Sequence, residues 1–290
     1  MYEENRTPLP RGDMAAVFAK ILAEMQHAVS ADTTPVSPET VVQSSHQANL
    51  QRFGLIARRL LLPGSRIEGV SHLEELHRRA AVGESCLLCL LHRSNLDVPT
   101  LYTLLADQGQ EGVFQRIIWV AGRKLTEDSL ATRVMVECFH RVFVTPRSWL
   151  TDDHTPQELH DAHLLNMAAQ RAIVNLRHAG WIFGLFPSGT RIRPGDEKTA
   201  CAIEETDTYV KSFQHLLLGH IRGCTLPVSH DWQLTHETPR LDEVVYTFGP
   251  VLATKDWRAA AARRYPGLSQ RAASAAAMMA DIQALAPAVE

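Results

Sequence analysis

Residues 86–105 read CLLCLLHRSNLDVPTLYTLL. A short apolar run gives way to a polar turn, His92-Arg93-Ser94-Asn95-Leu96-Asp97, and then to apolar residues at helical spacing. This predicts a strand over Ser85–Leu91, a tight turn, and a helix over Leu96–Asp107 with Pro99 in its first turn. The same alternation recurs along the chain. Strands are expected over Arg116–Ala121, Arg141–Thr145, Trp181–Phe186, Cys224–Ser229 and Glu243–Phe248. Helices are expected over Pro156–His178, Glu204–His220 and the Ala-rich residues 255–286. Short strands alternating with longer amphipathic segments give an α/β fold, a mixed sheet layered with helices. In such folds ligands sit at the carboxyl ends of the strands, so the site is sought there.

The first 65 residues have a different character. Val17, Ile21, Leu22 and Met25 recur at helical spacing within residues 13–30, with Asp13 placed as N-cap. A second helical run, Pro38–Leu62, stops before Pro63-Gly64. Residues 1–65 therefore read as a small N-terminal helical domain, and residues 66–290 as the α/β domain.

Composition narrows the function. The 290 residues are 45% hydrophobic and 21% charged, ordinary values that exclude a disordered or fibrous chain. With 29 Lys and Arg against 32 Asp and Glu, the net charge is −3. That balance argues against a nucleic-acid partner, and any anionic ligand must be met by local cations. The opening MYEENRTPLPRGD lacks the apolar core of a secretory signal and is too acidic for a transit peptide. Five cysteines without a signal point to reduced thiols, so the expected location is the cytoplasm, as a soluble protein. No stretch approaches the length of apolar sequence that a spanning helix needs.

Cys86 and Cys89 form a CxxC pair just before His92. Structural zinc needs a second ligand pair, and none follows; strand positions three apart also face opposite sides of a sheet. No metal is expected. His92 and Asp97 are different. A carboxylate five residues after a histidine, across a tight turn, can fix the imidazole tautomer and leave the second nitrogen free as a base. The competing reading makes Asp97 a helix cap and His92 an incidental loop residue.

The fourth strand exits into Pro187-Ser188-Gly189-Thr190-Arg191-Ile192-Arg193-Pro194. Gly189 permits an unusual turn and close ligand approach, Ser188 and Thr190 offer hydroxyls, and Arg191 and Arg193 offer planar forks suited to phosphate. The competing reading is a solvated turn whose arginines pair with Asp196 and Glu197. Arg147 follows the third strand, and Arg123 and Lys124 the second. Together these residues describe a site that activates a hydroxyl and holds an anion.

His92-Arg93-Ser94-Asn95-Leu96-Asp97 resembles the HX4D first block of the glycerolipid acyltransferases. Phe186-Pro187-Ser188-Gly189-Thr190-Arg191 resembles their third block, and Leu226-Pro227-Val228 their fourth, with order and spacing agreeing across residues 85–250. Ser188 followed by Gly189, Arg191, Arg193 and Pro194 is most similar to the soluble plastid-type glycerol-3-phosphate acyltransferases, as are Ala121–Thr126 and Asp152-Asp153. Two departures concern the acceptor site. Arg147-Ser148-Trp149 stands where that branch has a Lys-Lys-His-like segment, and Thr190 replaces a glycine.

The resemblance implies a glycerol-3-phosphate acyltransferase-like fold and an acyl transfer that needs no cofactor. The donor would be an acyl-CoA or acyl carrier protein thioester, and the acceptor a small phosphorylated molecule. Glycerol 3-phosphate, acylated at its sn-1 hydroxyl to lysophosphatidate, comes first. His92 would be the base, Asp97 its orienting acid, and Arg147, Arg191 and Arg193 the phosphate clamp, with Ser188, Gly189 and Thr190 forming the loop beside it. The resemblance also admits lysophosphatidate itself as acceptor. In that case Arg58-Arg59 beside Leu60–Leu62 would give peripheral contact with a membrane, against the plainer reading of a helix packed on the domain. A thioesterase using the same dyad on water, and a non-catalytic acyl-binding protein, are the remaining alternatives.

Overall fold

The computed structural model describes residues 19–20, 23–25, 27, 34–126, 130–151, 153–229 and 236–286. Of the helix expected over residues 13–30, the described positions are helical and Met25 is buried; the remainder, including Asp13, Val17, Ile21 and Leu22, lies outside the described residues.

Strand β1 (Val42–Gln43) precedes helix α1 (Gln47–Leu60), so helix occupies only the second half of the run expected over 38–62. His46 caps α1, its Nδ1 accepting from the Asn49 N–H at 3.2 Å. Leu50, Phe53, Ala57 and Leu60 form its buried stripe. Next come β2 (Arg66–Glu68) and α2 (Val70–Ala81), neither of which the sequence reading picked out. Strand β3 (Cys86–Leu90) and helix α3 (Asp97–Asp107) follow as expected, then the short α4 (Glu111–Phe114) and β4 (Ile117–Gly122). Helix α5 (Leu130–Val136) leads to β5 (Arg141–Val144). Helix α6 (Pro156–Leu176) starts on a capping box between Thr155 and Glu158, with Pro156 in its first turn, and leads to β6 (Ile182–Leu185).

The next stretch corrects the sequence reading. Helix α7 covers only Thr206–Val210, and β7 runs over His215–Arg222 in place of the second half of the expected helix. HLLLGHI is buried on both faces, and a continuous apolar run fits a central strand as well as a helix. The strand ends before Gly223, which holds φ +83° and passes so close to the chain at Glu243 that a Cβ would stand 2.1 Å from the Glu243 carbonyl oxygen. Residues 224–229 are consequently loop, not the expected strand, although Leu226 stays buried. Strands β8 (Val245–Phe248) and β9 (Leu252–Ala253) follow. The Ala-rich segment then splits at Pro266-Gly267 into α8 (Thr254–Arg264) and α9 (Gln270–Ala284).

The strands form one mixed sheet in the order β1-β5-β4-β6-β3-β7-β8-β2, with β9 also paired to β7. From β5 to β7 all neighbours are parallel; β1 is antiparallel to β5, β8 and β9 are antiparallel to β7, and β2 is parallel to β8. The steps β3→β4 and β4→β5 move one way along the sheet, and β5→β6 and β6→β7 the other. Right-handed crossovers therefore place α3, α4 and α5 on one face and α6 and α7 on the opposite face. Ring contacts agree: Trp119 of β4 meets Phe139 just beyond α5, and Phe183 of β6 meets Phe213 just beyond α7. Helix α1 packs on α3, where the Thr103 hydroxyl donates to the Gly54 carbonyl at 3.3 Å. Leu50 and Phe53 of α1 share one apolar core with Leu101 and Leu105 of α3. Among the described residues no helix is long and apolar enough to cross a membrane.

Candidate active site

Strand β3 runs out at Leu90, and the Leu91 N–H still donates to Gly219 of β7 at 3.1 Å. The chain then turns. Asp97 opens α3, but its carboxylate does not cap that helix; it reaches back over the turn. One oxygen, Oδ2, accepts from the N–H groups of Arg93 (2.7 Å) and Ser94 (2.9 Å) and from His92 Nδ1 (2.9 Å). Three donors on one buried oxygen fix the carboxylate, and through it the tautomer of the imidazole. With Nδ1–H given to Asp97, the neutral ring keeps its lone pair on Nε2. From behind, the buried Tyr246 hydroxyl donates to the Asp97 carbonyl at 2.6 Å.

The turn after β6 is built equally tightly. Gly189 takes φ +65°, open to glycine at no steric cost, and its N–H donates to the Phe186 carbonyl at 2.9 Å. The Ser188 hydroxyl is buried and spent on the Thr190 carbonyl, so its visible part is structural. The Pro187 carbonyl accepts from the Ile203 N–H and from the Thr206 hydroxyl. Ile192 donates its N–H to the His92 carbonyl at 2.9 Å, joining the two turns directly.

Arg191 does not pair with Asp196 or Glu197. Its Nη1 meets Oε1 of Glu237, a carboxylate with no side-chain exposure at all. Burial raises the Glu237 pKa even against the pull of Arg191, and Oε2 has no partner among the described residues. Arg193 reaches the Thr190 hydroxyl through Nη2 at 3.4 Å, while its backbone N–H donates to Thr199.

These turns flank a cleft of about 1410 Å³ at the carboxyl ends of the central strands. His92, Arg147, Ser188, Gly189, Thr190, Arg191 and Arg193 all line it, and Asp97 stands behind His92. Arg147 is exposed, on a 3-10 turn after β5; Lys124 joins it from the end of β4. Apolar walls extend to both faces of the sheet, with Trp119, Met135 and Phe139 on one side and Ile173, Tyr209 and Phe213 on the other. Asp152 lies outside the described residues. Cys86 and Cys89 are buried in the sheet, where burial pushes the Cys86 thiol up to about 12. Among the described residues no three His, Cys, Asp or Glu side chains group as metal ligands.

Sequence reasoning missed Glu237, Tyr246, Trp119 and Gly184. Each acts over a long separation in the chain, with no local pattern to mark it. Phe186 was noted only as part of a motif, yet its ring stacks on His92 with centroids 3.9 Å apart.

A histidine–carboxylate pair and several arginines at one mouth can activate a hydroxyl and hold an anion. The sequence model of the acyltransferase family matches residues 66–216, just over half the chain, and the protein belongs to that family. Among solved structures, the 1-acyl-sn-glycerophosphate (LPA) acyltransferase PlsC from Thermotoga maritima is similar at 14% identity. The match covers 84% of this chain and 80% of that one, with a TM-score of 0.43. A comparison with curated protein sequences found no match.

Proposed function

We propose that the protein transfers a fatty acyl group from an acyl thioester to the sn-1 hydroxyl of glycerol 3-phosphate. The observation that carries this reading is the meeting of the His92–Asp97 pair with Arg147, Arg191 and Arg193 in one cleft with apolar walls. Each part matches one part of the substrates: a base for the hydroxyl, cations for the phosphate, apolar surface for the acyl chain.

His92 Nε2 takes the hydroxyl proton as the acceptor oxygen attacks the thioester carbonyl. The C–O bond forms, the C–S bond breaks, and the thiolate leaves with the proton returned by His92. Asp97 keeps Nδ1 protonated throughout and stabilises the imidazolium between the two transfers. General-base assistance of this kind is worth about 10²–10⁴ in rate. The arginines hold the phosphate so that the hydroxyl meets Nε2 in an attacking geometry. The step is complete without a cofactor. The donor is an acyl-CoA or acyl carrier protein thioester.

One observation favours lysophosphatidate as a second acceptor. The cleft exceeds the roughly 300–1,000 Å³ usual for small ligands, and its apolar walls lie on both faces of the sheet, room for a second chain. At the end of α1, where such an acceptor would call for membrane contact, two of the residues concerned are engaged by the domain. Leu60 is buried in the core and Arg58 pairs with Asp107 of α3.

Thiol release from acyl-CoA, measured alone, with glycerol 3-phosphate and with lysophosphatidate, tests the reading. Release that depends on glycerol 3-phosphate supports it, and dependence on lysophosphatidate alone moves the acceptor. Acceptor-independent release makes the protein a thioesterase, and no release makes it an acyl-binding protein.

A further inference from the structure

Asp97 fixes which imidazole nitrogen carries the proton and tethers the ring at Nδ1, but one hydrogen bond tolerates a range of ring tilts, and the Cβ–Cγ torsion has a broad minimum. The structure supplies a second restraint. The Phe186 ring lies 3.9 Å from that of His92, centroid to centroid, with 16° between the planes. Trp119 backs Phe186 in turn, at 5.1 Å and 17°. His92, Phe186 and Trp119 thus form one stack at the mouth of the cleft.

The sheet makes room for this stack at a specific place. Trp119 and Gly184 are register partners on β4 and β6, and the indole occupies the space a side chain at residue 184 would need. A Cβ on Gly184 would stand 2.6 Å from Trp119 Cε3 and 2.8 Å from Cδ2. The indole N–H is buried with no partner among the described residues. A phenyl ring would avoid that cost. The indole adds a face broad enough to meet Phe186 flat while its edge engages Phe139.

We propose that Phe186, held by Trp119 across Gly184, is a positioning residue for His92. It keeps the imidazole plane in the heading that turns Nε2 to the cleft, and its π face favours the imidazolium formed when the proton is taken. This rests on His92 being the base of the acyl transfer proposed above.

The test uses the full chain, with palmitoyl-CoA as donor and glycerol 3-phosphate and lysophosphatidate as alternative acceptors. Wild-type transfer is measured alongside, because its absence with both acceptors would defeat the functional reading and not this one. Phe186→Met keeps the bulk and removes the ring; Phe186→Leu does the same if the first variant fails to fold. Either is expected to lower kcat by roughly 10–100-fold, with KM for both substrates near the wild-type value. Phe186→Tyr, which keeps the ring, should restore most of kcat. Gly184→Ala, which displaces Trp119 without lining the cleft, should lower kcat in the same sense. In a His92→Ala background, Phe186→Met should leave the residual rate unchanged, since a residue acting through His92 has nothing left to act on. The proposal is overturned if Phe186→Met leaves kcat intact, raises only KM, or costs as much without His92 as with it.

Discussion

Arg191, in the turn that follows β6, pairs with Glu237, a carboxylate sealed completely from solvent. The pair anchors one edge of the guanidinium on the protein and leaves the residue lining the cleft. Arg191→Ala should therefore do two separable things. It removes a phosphate contact, raising KM for the phosphorylated acceptor more than it lowers kcat. It also strands a buried carboxylate, which costs about 3 kcal/mol for a pair of this kind. Adding Glu237→Gln should recover most of the stability while KM stays high. Urea denaturation and acceptor titrations separate the two, and an unchanged KM would remove Arg191 from the acceptor site.

Tyr246→Phe probes the turn from behind. The lost hydroxyl leaves the Asp97 carbonyl without that donor and should cost about 1 kcal/mol in chemical denaturation. The His92–Asp97 bond is held by donors of the turn itself, so kcat should stay close to wild type. A collapse of kcat would show that β8 sets the catalytic geometry.

Stability should fall in mild acid through three histidines. Burial, before any charge, lowers the pKa of His77, His140 and His220; Arg116, Arg141 and Arg93 add to it. Below their ordinary value near 6.5 the unfolded chain takes up protons that the native state refuses. Stability is thus fully present above that value and is lost as pH drops toward the lowered native pKa values. His140 shows why: its Nδ1 accepts from the Ser45 N–H, a bond the imidazolium cannot make. The thermal midpoint should drop between about pH 7.5 and pH 5.5. A His140→Asn, His220→Asn double variant should flatten that drop, and an equal slope would contradict the assignment.

The parts of the site that were legible in sequence are the local ones. An apolar run ending in HRSNLD places a histidine and a carboxylate across one turn, and FPSGTRIR sets two arginines just past a strand. Each arrangement rests on a few consecutive residues, which the structure keeps at the ends of β3 and β6. What depends on distant packing was not legible. The β7 segment reads as helix or strand equally well, and its place between β3 and β8, with Gly219 pressed against Leu90, makes it a strand. Leu226-Pro227-Val228 looked like a strand, but the close approach of Gly223 to Glu243 ends the ladder first. Glu237 lies 46 residues from Arg191, and nothing near it signals an ion-pair partner.

The central claim is that His92 is the base for transfer to a glycerol phosphate hydroxyl. The most direct test follows ester formation and thiol release together, from acyl-CoA and glycerol 3-phosphate, for the wild type and for His92→Ala. The account predicts matched, acceptor-dependent product formation in the wild type. It predicts a fall of about 10²-fold or more in His92→Ala, with the same folded stability. Transfer at the wild-type rate by His92→Ala would contradict it.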